Sequence, residues 1–174
     1  RVAGAPLVPC MKCEDCMKGD YALCKHYSFI GTRQPGSFAE YICVPEQNAV
    51  PFDDSVSFEQ GALFEPAAVA LHGLECLPYE GGKTVAILGG GTIGLLVMQW
   101  ANIYGAAKTV VFDIDDDRIK LAKEMGAYDG VNTLEEGFME KAMAMTDGKG
   151  FDYIYETAGS TITMKMAYEL AANK

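Results

Sequence analysis

Positive charge is what this sequence has least of. Fourteen Lys and Arg stand against twenty-four Asp and Glu, a formal net charge of -10. That argues against a nucleic-acid partner, because proteins that hold a phosphate backbone present a basic face. Long apolar runs are also missing: none approaches the roughly 20 residues of a membrane-spanning helix, so no membrane partner is expected. No tract is of low complexity or disordered in composition, and the opening RVAGAPLVPC carries neither an initiator Met nor a signal peptide. The abrupt start reads as a piece of something longer. With 49% hydrophobic residues, the 174 positions suffice for one ordinary domain or two partial ones with a real core.

Six cysteines are present. An extracellular disulfide framework would account for them only in a short chain poor in core residues, so a reducing cytoplasm is the expected compartment. Cys43 and Cys76 stand alone in apolar contexts and read as small core residues. The other four are crowded into CMKCEDCMKGDYALC, residues 10–24.

The chain has two halves of different grammar. Residues 1 to about 56 are short extended runs broken by Gly and Pro, as in an all-β unit; SFAEYICV (37–44) and NAVPF (48–52) read as strands. A helix then begins with Ser57 and Gln60 in capping-box spacing, with Pro66 predicting a break near Glu65. From Thr84 strands and helices alternate. TVAIL, KTVVF, DGVN and FDYIYE are the strands. The helices run from Thr92 to Tyr104, over DDDRIKLAKEM, from Leu134 to Met145 behind a second capping box (Thr133 and Glu136), and from Thr161 to Ala172. Four such units demand a parallel sheet, doubly wound, in the expected order 3-2-1-4.

VAILGGGTIGLL places Gly89, Gly91 and Gly94 in G-x-G-x-x-G spacing between a strand and a helix. Gly89 makes the turn, Gly91 lets a pyrophosphate approach the backbone, and Gly94 lets helix and strand pack closely; the phosphates sit on the helix amides from Thr92 onward. Asp113, ending the next strand, can accept both ribose hydroxyls and would repel a 2′-phosphate. NAD is therefore expected over NADP.

Cys10, Cys13, Cys16 and Cys24 follow C-x2-C-x2-C-x7-C. A bacterial ferredoxin motif closes with a three-residue gap and then Pro; here the gap is seven and Lys25 follows. Four thiolates without a His match a closed structural Zn²⁺ site.

A four-cysteine lobe ahead of a dinucleotide fold resembles the zinc-dependent medium-chain alcohol and polyol dehydrogenases. The likeness runs through RVAGAPLVPCMKCEDC, FIGTRQPGSFAEYICVP and LFEPAAVALHGL, and leans to the branch acting on galactitol 1-phosphate or sorbitol. It implies part of a GroES-like catalytic domain with a zinc lobe over 1–66, and a linker helix with the first part of an NAD-binding Rossmann domain over 67–174. Glu65, where simple alcohol dehydrogenases carry a Cys, then corresponds to a catalytic-zinc ligand, and a carboxylate in ALFEPAAV is costly to bury unless paired or metal-bound. Ile93, Asp113 and Arg118 match positions that hold NAD. Tyr41 is as compatible with the core as with a substrate pocket, and His72 reads as a satisfied structural histidine. The implied activity is oxidation of a secondary alcohol of a small polyol or polyol phosphate to a ketone, by a homo-oligomer (dimer or tetramer). A threonine or simple-alcohol dehydrogenase and a non-catalytic zinc-lobed NAD module are the alternatives. The family's other catalytic-zinc ligands lie upstream of what this chain contains, so the piece by itself is expected to be inactive.

Overall fold

A computed structural model describes residues 1–173. The chain divides into two compact units, Arg1–Glu65 and Pro66–Lys174.

In the first unit, β1 (Val2–Gly4) is short, as is β2 (Leu7–Val8). The cysteine lobe follows, built around one turn of helix, α1 (Glu14–Lys18). The chain returns as β3 (Ser28–Phe29), antiparallel to β2, and as β4 (Ala49–Pro51), antiparallel to β1. The buried Asn48 joins these pieces: its Nδ2 donates to Ala5 O and to Leu7 O, each at 2.7 Å. Beyond β4, Phe52 packs edge-on against Phe58 and Phe64, and the Arg1 guanidinium lies 4.1 Å over the Phe58 ring.

Two of the expectations for this half need correction. Residues 37–44 are not a strand; Phe38 and Tyr41 are almost wholly exposed and Cys43 is exposed. A strand exists only by pairing, and among the described residues nothing pairs with this stretch. The helix break also lies earlier than Pro66 predicts. The capping box forms as read, with Gln60 N donating to Ser57 Oγ and Ser57 N to Gln60 Oε1, and starts α2 (Phe58–Gly61). The chain breaks at residues 62–63 and resumes as α3 (Phe64–Glu75). Pro66 then sits in the first turn of α3, where its missing N–H has no intrahelical partner to lose.

The second unit alternates regularly: β5 (Thr84–Leu88), α4 (Thr92–Ile103), β6 (Lys108–Asp113), α5 (Asp116–Glu124), β7 (Asp129–Asn132), α6 (Phe138–Ala144), β8 (Tyr153–Glu156) and α7 (Thr161–Leu170). The sheet is parallel with order β7-β6-β5-β8, the order expected. Alternation along each strand sends side chains to opposite faces. Val85, Ile87 and Val111 pack with Leu95, Met98 and Ala101 of α4 on one face. Ala86, Leu88, Val110 and Phe112 pack with Ala142, Met166 and Leu170 on the other. Each fully buried Val, Ile or Leu contributes about 1.5–3 kcal/mol, so the central strands β5 and β6 are strong anchors of the unit.

The third helix starts later than its sequence suggests. Asn132 Oδ1 takes the Leu134 amide at 2.9 Å, and Gly137 adopts φ 76° just before α6. The Thr133–Glu136 capping box is therefore not made. The last helix ends at Leu170, because Ala171 turns extended and bridges Phe151.

Candidate functional site

The sulfur lobe is shaped by local backbone choices. Met11 takes a left-handed conformation (φ 58°) directly after Cys10, and Gly19 does so (φ 88°) at the end of α1. These two turns fold residues 10–24 back on themselves. All four Sγ atoms lie within 4.8 Å of one another; Cys10 to Cys16 is 4.0 Å and Cys13 to Cys24 is 3.9 Å. A tetrahedral zinc with sulfur at about 2.3 Å requires sulfur–sulfur edges of about 3.8 Å, so the set fits that ion. The thiols are also electrostatically split. The Lys12 amide, opposed by burial and helped by the Cys13 amide, holds Cys10 down to about 6. Burial pushes Cys16 up to about 12, with Cys13 and Cys24 adding to the rise. Four sulfurs this close cannot all ionise without a cation among them, and a dication would supply it.

The glycine loop turns from β5 into α4. Gly89 has φ 109°, a conformation other residues rarely hold, and a Cβ there would come within 3.0 Å of Ala158 N. A Cβ on Gly94 would collide with Gly89 O and approach Thr157 Oγ1 to 2.9 Å. Gly91 differs from both: its backbone is ordinary, and a Cβ would meet nothing within 4 Å. It is the N-cap of α4 and offers no side-chain cap, whereas α5 and α7 are capped by Asp115 and Ser160. The first-turn amides of α4 thus remain available to an anion.

A cleft of about 370 Å³ opens here, lined by Gly89, Gly91, Asp113 and Arg118 among others. Asp113 is buried, with Oδ1 engaged twice and Oδ2 once by backbone amides. Its Oδ1 accepts from Ile114 N (2.8 Å) and Asp115 N (3.0 Å); its Oδ2 accepts from Gly90 N (2.6 Å) and lies 3.6 Å from Arg118 NH1. Thr92 and Ile93 do not line the cleft; Ile93 packs against the core beside α4. The cleft also contains Thr157, Ser160 and Thr163, which the sequence reading missed. Their signal is the polar loop after β8, which the sheet order sets beside the glycine loop. Glu156 Oε1 holds that loop by accepting from Ala158 N, Gly159 N and Thr163 Oγ1.

Glu65 stands in the first turn of α3, on a hollow of about 260 Å³ lined also by Gly4, Phe52 and Phe58. It is exposed, so the expected cost of burying its carboxylate does not arise. His72 is exposed as well, and so is Cys76, against its reading as a small core residue; the apolar side of α3 is carried by Ala70 and Leu74.

Residues 92–174 match the family profile of zinc-binding dehydrogenases, and residues 1–54 match that of the alcohol dehydrogenase GroES-like domain. Galactitol 1-phosphate 5-dehydrogenase of Escherichia coli (strain K12) is 38% identical over 170 residues, covering 98% of this chain and 49% of that protein. The chain belongs to the zinc-binding dehydrogenase family. Sorbitol dehydrogenase of Bacillus subtilis (strain 168), another member, is 35% identical over 168 residues, 96% of this chain and 48% of that protein. The crystal structure of galactitol-1-phosphate dehydrogenase from Escherichia coli superposes with a TM-score of 0.88, covering 98% of this chain and 49% of that one. A protein described as a zinc-binding dehydrogenase, from Sinorhizobium meliloti 1021 and solved bound to NADP, is 34% identical. Its TM-score is 0.88, over 99% of this chain and 51% of that one. The chain therefore spans about half the length of the family members it matches. Among the described residues, no helix is long and apolar enough to cross a membrane.

Proposed function

We propose that this chain is part of an NAD-dependent zinc dehydrogenase that oxidises a secondary alcohol of a polyol or polyol phosphate to a ketone. Cys10, Cys13, Cys16 and Cys24 hold a structural zinc that fixes their lobe. The open amides of α4 receive the pyrophosphate, Gly91 admits it to the backbone, and Asp113 accepts the ribose hydroxyls. Glu65 serves as a carboxylate ligand of a catalytic zinc, the role its exposed position on the hollow leaves free. When bound, that zinc would supply Lewis acidity toward the substrate hydroxyl, and NAD would supply the hydride acceptor. The enzyme is proposed to be cytoplasmic and homo-oligomeric.

The observation that carries this reading is Gly91, the N-cap of α4 without a side-chain cap, on the wall of a cleft that also holds the buried Asp113. Preference for NAD rests on that carboxylate. Arg118, 3.6 Å away on the same cleft wall, is the cation that could offset its repulsion of a 2′-phosphate. The test offers NAD and NADP with galactitol 1-phosphate, sorbitol, threonine and a simple alcohol to the protein extended to the length of its relatives. NAD reduction with a polyol or its phosphate, abolished by Glu65→Ala, is the expected result. Turnover confined to threonine or simple alcohols, or turnover that survives the substitution, refutes the reading.

A further inference from the structure

The last turn of α3 and the residue after it, Cys76, whose amide still donates to His72 O, carry a pair of soft metal donors that neither the sulfur lobe nor the nucleotide cleft uses. His72 and Cys76 are one helical turn apart, and His72 Nε2 lies 3.8 Å from Cys76 Sγ. Helical geometry makes the arrangement: residues four apart stand on one face, one above the other, so imidazole and thiol project to the same side. Both are exposed, on the face opposite Ala70 and Leu74, which α3 buries.

We infer that His72 and Cys76 form a second, solvent-open chelate for a borderline or soft divalent cation such as Zn²⁺ or Cd²⁺. The distance is the main support. Zinc bonds imidazole nitrogen at about 2.0–2.1 Å and thiolate sulfur at about 2.3 Å, which puts the two donors about 3.6 Å apart at a tetrahedral angle. The pair stands within a few tenths of an ångström of that edge without moving the backbone. Donor type supports it too, since thiolate and imidazole select such cations over Mg²⁺ or Ca²⁺. The helix that presents the pair is firmly anchored, because Leu74 is fully buried and Trp100 Nε1 donates to Ala67 O at 2.9 Å. With two protein donors and water completing the shell, this cation is held more loosely than one among four thiolates. Uptake of the cation replaces the Cys76 S–H proton by a sulfur–metal bond and releases that proton to solvent.

The inference does not depend on the proposed dehydrogenase activity, and it is tested by metal binding alone. In a Cys43→Ser background, under a phosphine reductant, the chain is titrated with Cd²⁺. Bound metal is counted, and ultraviolet thiolate-to-cadmium charge transfer is followed. One equivalent should fill the lobe, and a second, weaker one should add an increment of absorbance. Cys76→Ser should remove that increment, and His72→Gln should remove the second equivalent. Both side chains are exposed, so neither change threatens the fold. Saturation at one equivalent overturns the inference. So does a second equivalent indifferent to both substitutions, or one lost with Cys76→Ser but retained with His72→Gln, which is the behaviour of a thiol acting alone.

Discussion

Two of the three loop glycines make opposite demands, and a pair of alanine substitutions separates them. In Gly94→Ala the new methyl meets Gly89 O and Thr157 Oγ1, one a backbone carbonyl of the turn and the other a side chain bonded to Leu88 O and Gly89 O. Neither can yield without moving β5 away from α4, whose Leu95, Met98 and Ala101 are buried against it. Overpacking of this kind costs about 2–3 kcal/mol, and a unit of roughly 100 residues should lose roughly 10–20 °C in unfolding midpoint. In Gly91→Ala the methyl meets nothing within 4 Å and the backbone is unstrained, so the midpoint should stay within about 2 °C. The space that methyl fills is the approach proposed for the pyrophosphate, so NAD binding should be lost from a folded protein. Thermal unfolding followed by circular dichroism reads the first effect in this chain. Calorimetry with NAD on the protein extended to the length of its relatives reads the second. A Gly91→Ala protein that binds NAD normally would refute the assignment of the loop; a Gly94→Ala protein of unchanged stability would refute the packing argument.

Cys13→Ser should take the zinc content of this chain from one per chain to none at the lobe and loosen residues 10–24, while the helical signal of the second unit persists; metal analysis and circular dichroism check both. Asp113→Ala should weaken NAD binding and narrow the difference between NAD and NADP, whereas tighter binding of NADP by the unmutated protein would remove the role given to Asp113. Acid stability should involve Asp129. Burial alone would raise its carboxyl, but the Lys123 ammonium at 2.6 Å and the Gly130 amide prevail and hold it below the usual carboxylate range. A lowered pKa contributes stability that is fully present above about pH 4 and is lost as pH falls through the folded-state value. Lys123→Gln should therefore flatten this part of the acid unfolding profile, measured as midpoint against pH.

Legibility in the sequence followed how local each feature is. The βα units of the second half were readable because each strand, turn and helix is specified within about a dozen residues, and the order of four strands then follows from right-handed crossovers. Ser57 and Gln60 make their capping box, but the identical pattern at Thr133 and Glu136 fails, because Asn132 and Gly137 impose a competing turn. A pattern states what is possible, and neighbouring residues decide whether it forms. Residues 37–44 have the composition of a strand, yet strand formation depends on a partner that composition cannot specify. The cysteine spacing made the sulfur cluster legible, since four thiols within fifteen residues leave little freedom. The polar cleft residues Thr157, Ser160 and Thr163 are remote from the glycine loop in sequence and join it only through the adjacency of β5 and β8. Cys76 and His72 lie in an apolar-looking run, where only the helical phase shows which side each takes.

The position of β5 has a consequence for how the polypeptide acquires its shape during synthesis. Thr84 pairs with Lys108 and Val85 with Tyr153, so β5, central to the sheet, receives its two neighbours at very different times. One edge is covered after a single crossover; the other stays open until β6, α5, β7 and α6 have all emerged. Late-arriving partners slow folding, because the long intervening loop must close before any reward is gained. During that interval β5 has an unpaired edge of backbone N–H and C=O groups, flanked by the apolar side chains of Val85, Ala86, Ile87 and Leu88. The four cysteines, by contrast, are complete once Cys24 has been added. A growing chain can thus close its cysteine lobe early, and it is most exposed to mispairing just before Tyr153 reaches the sheet.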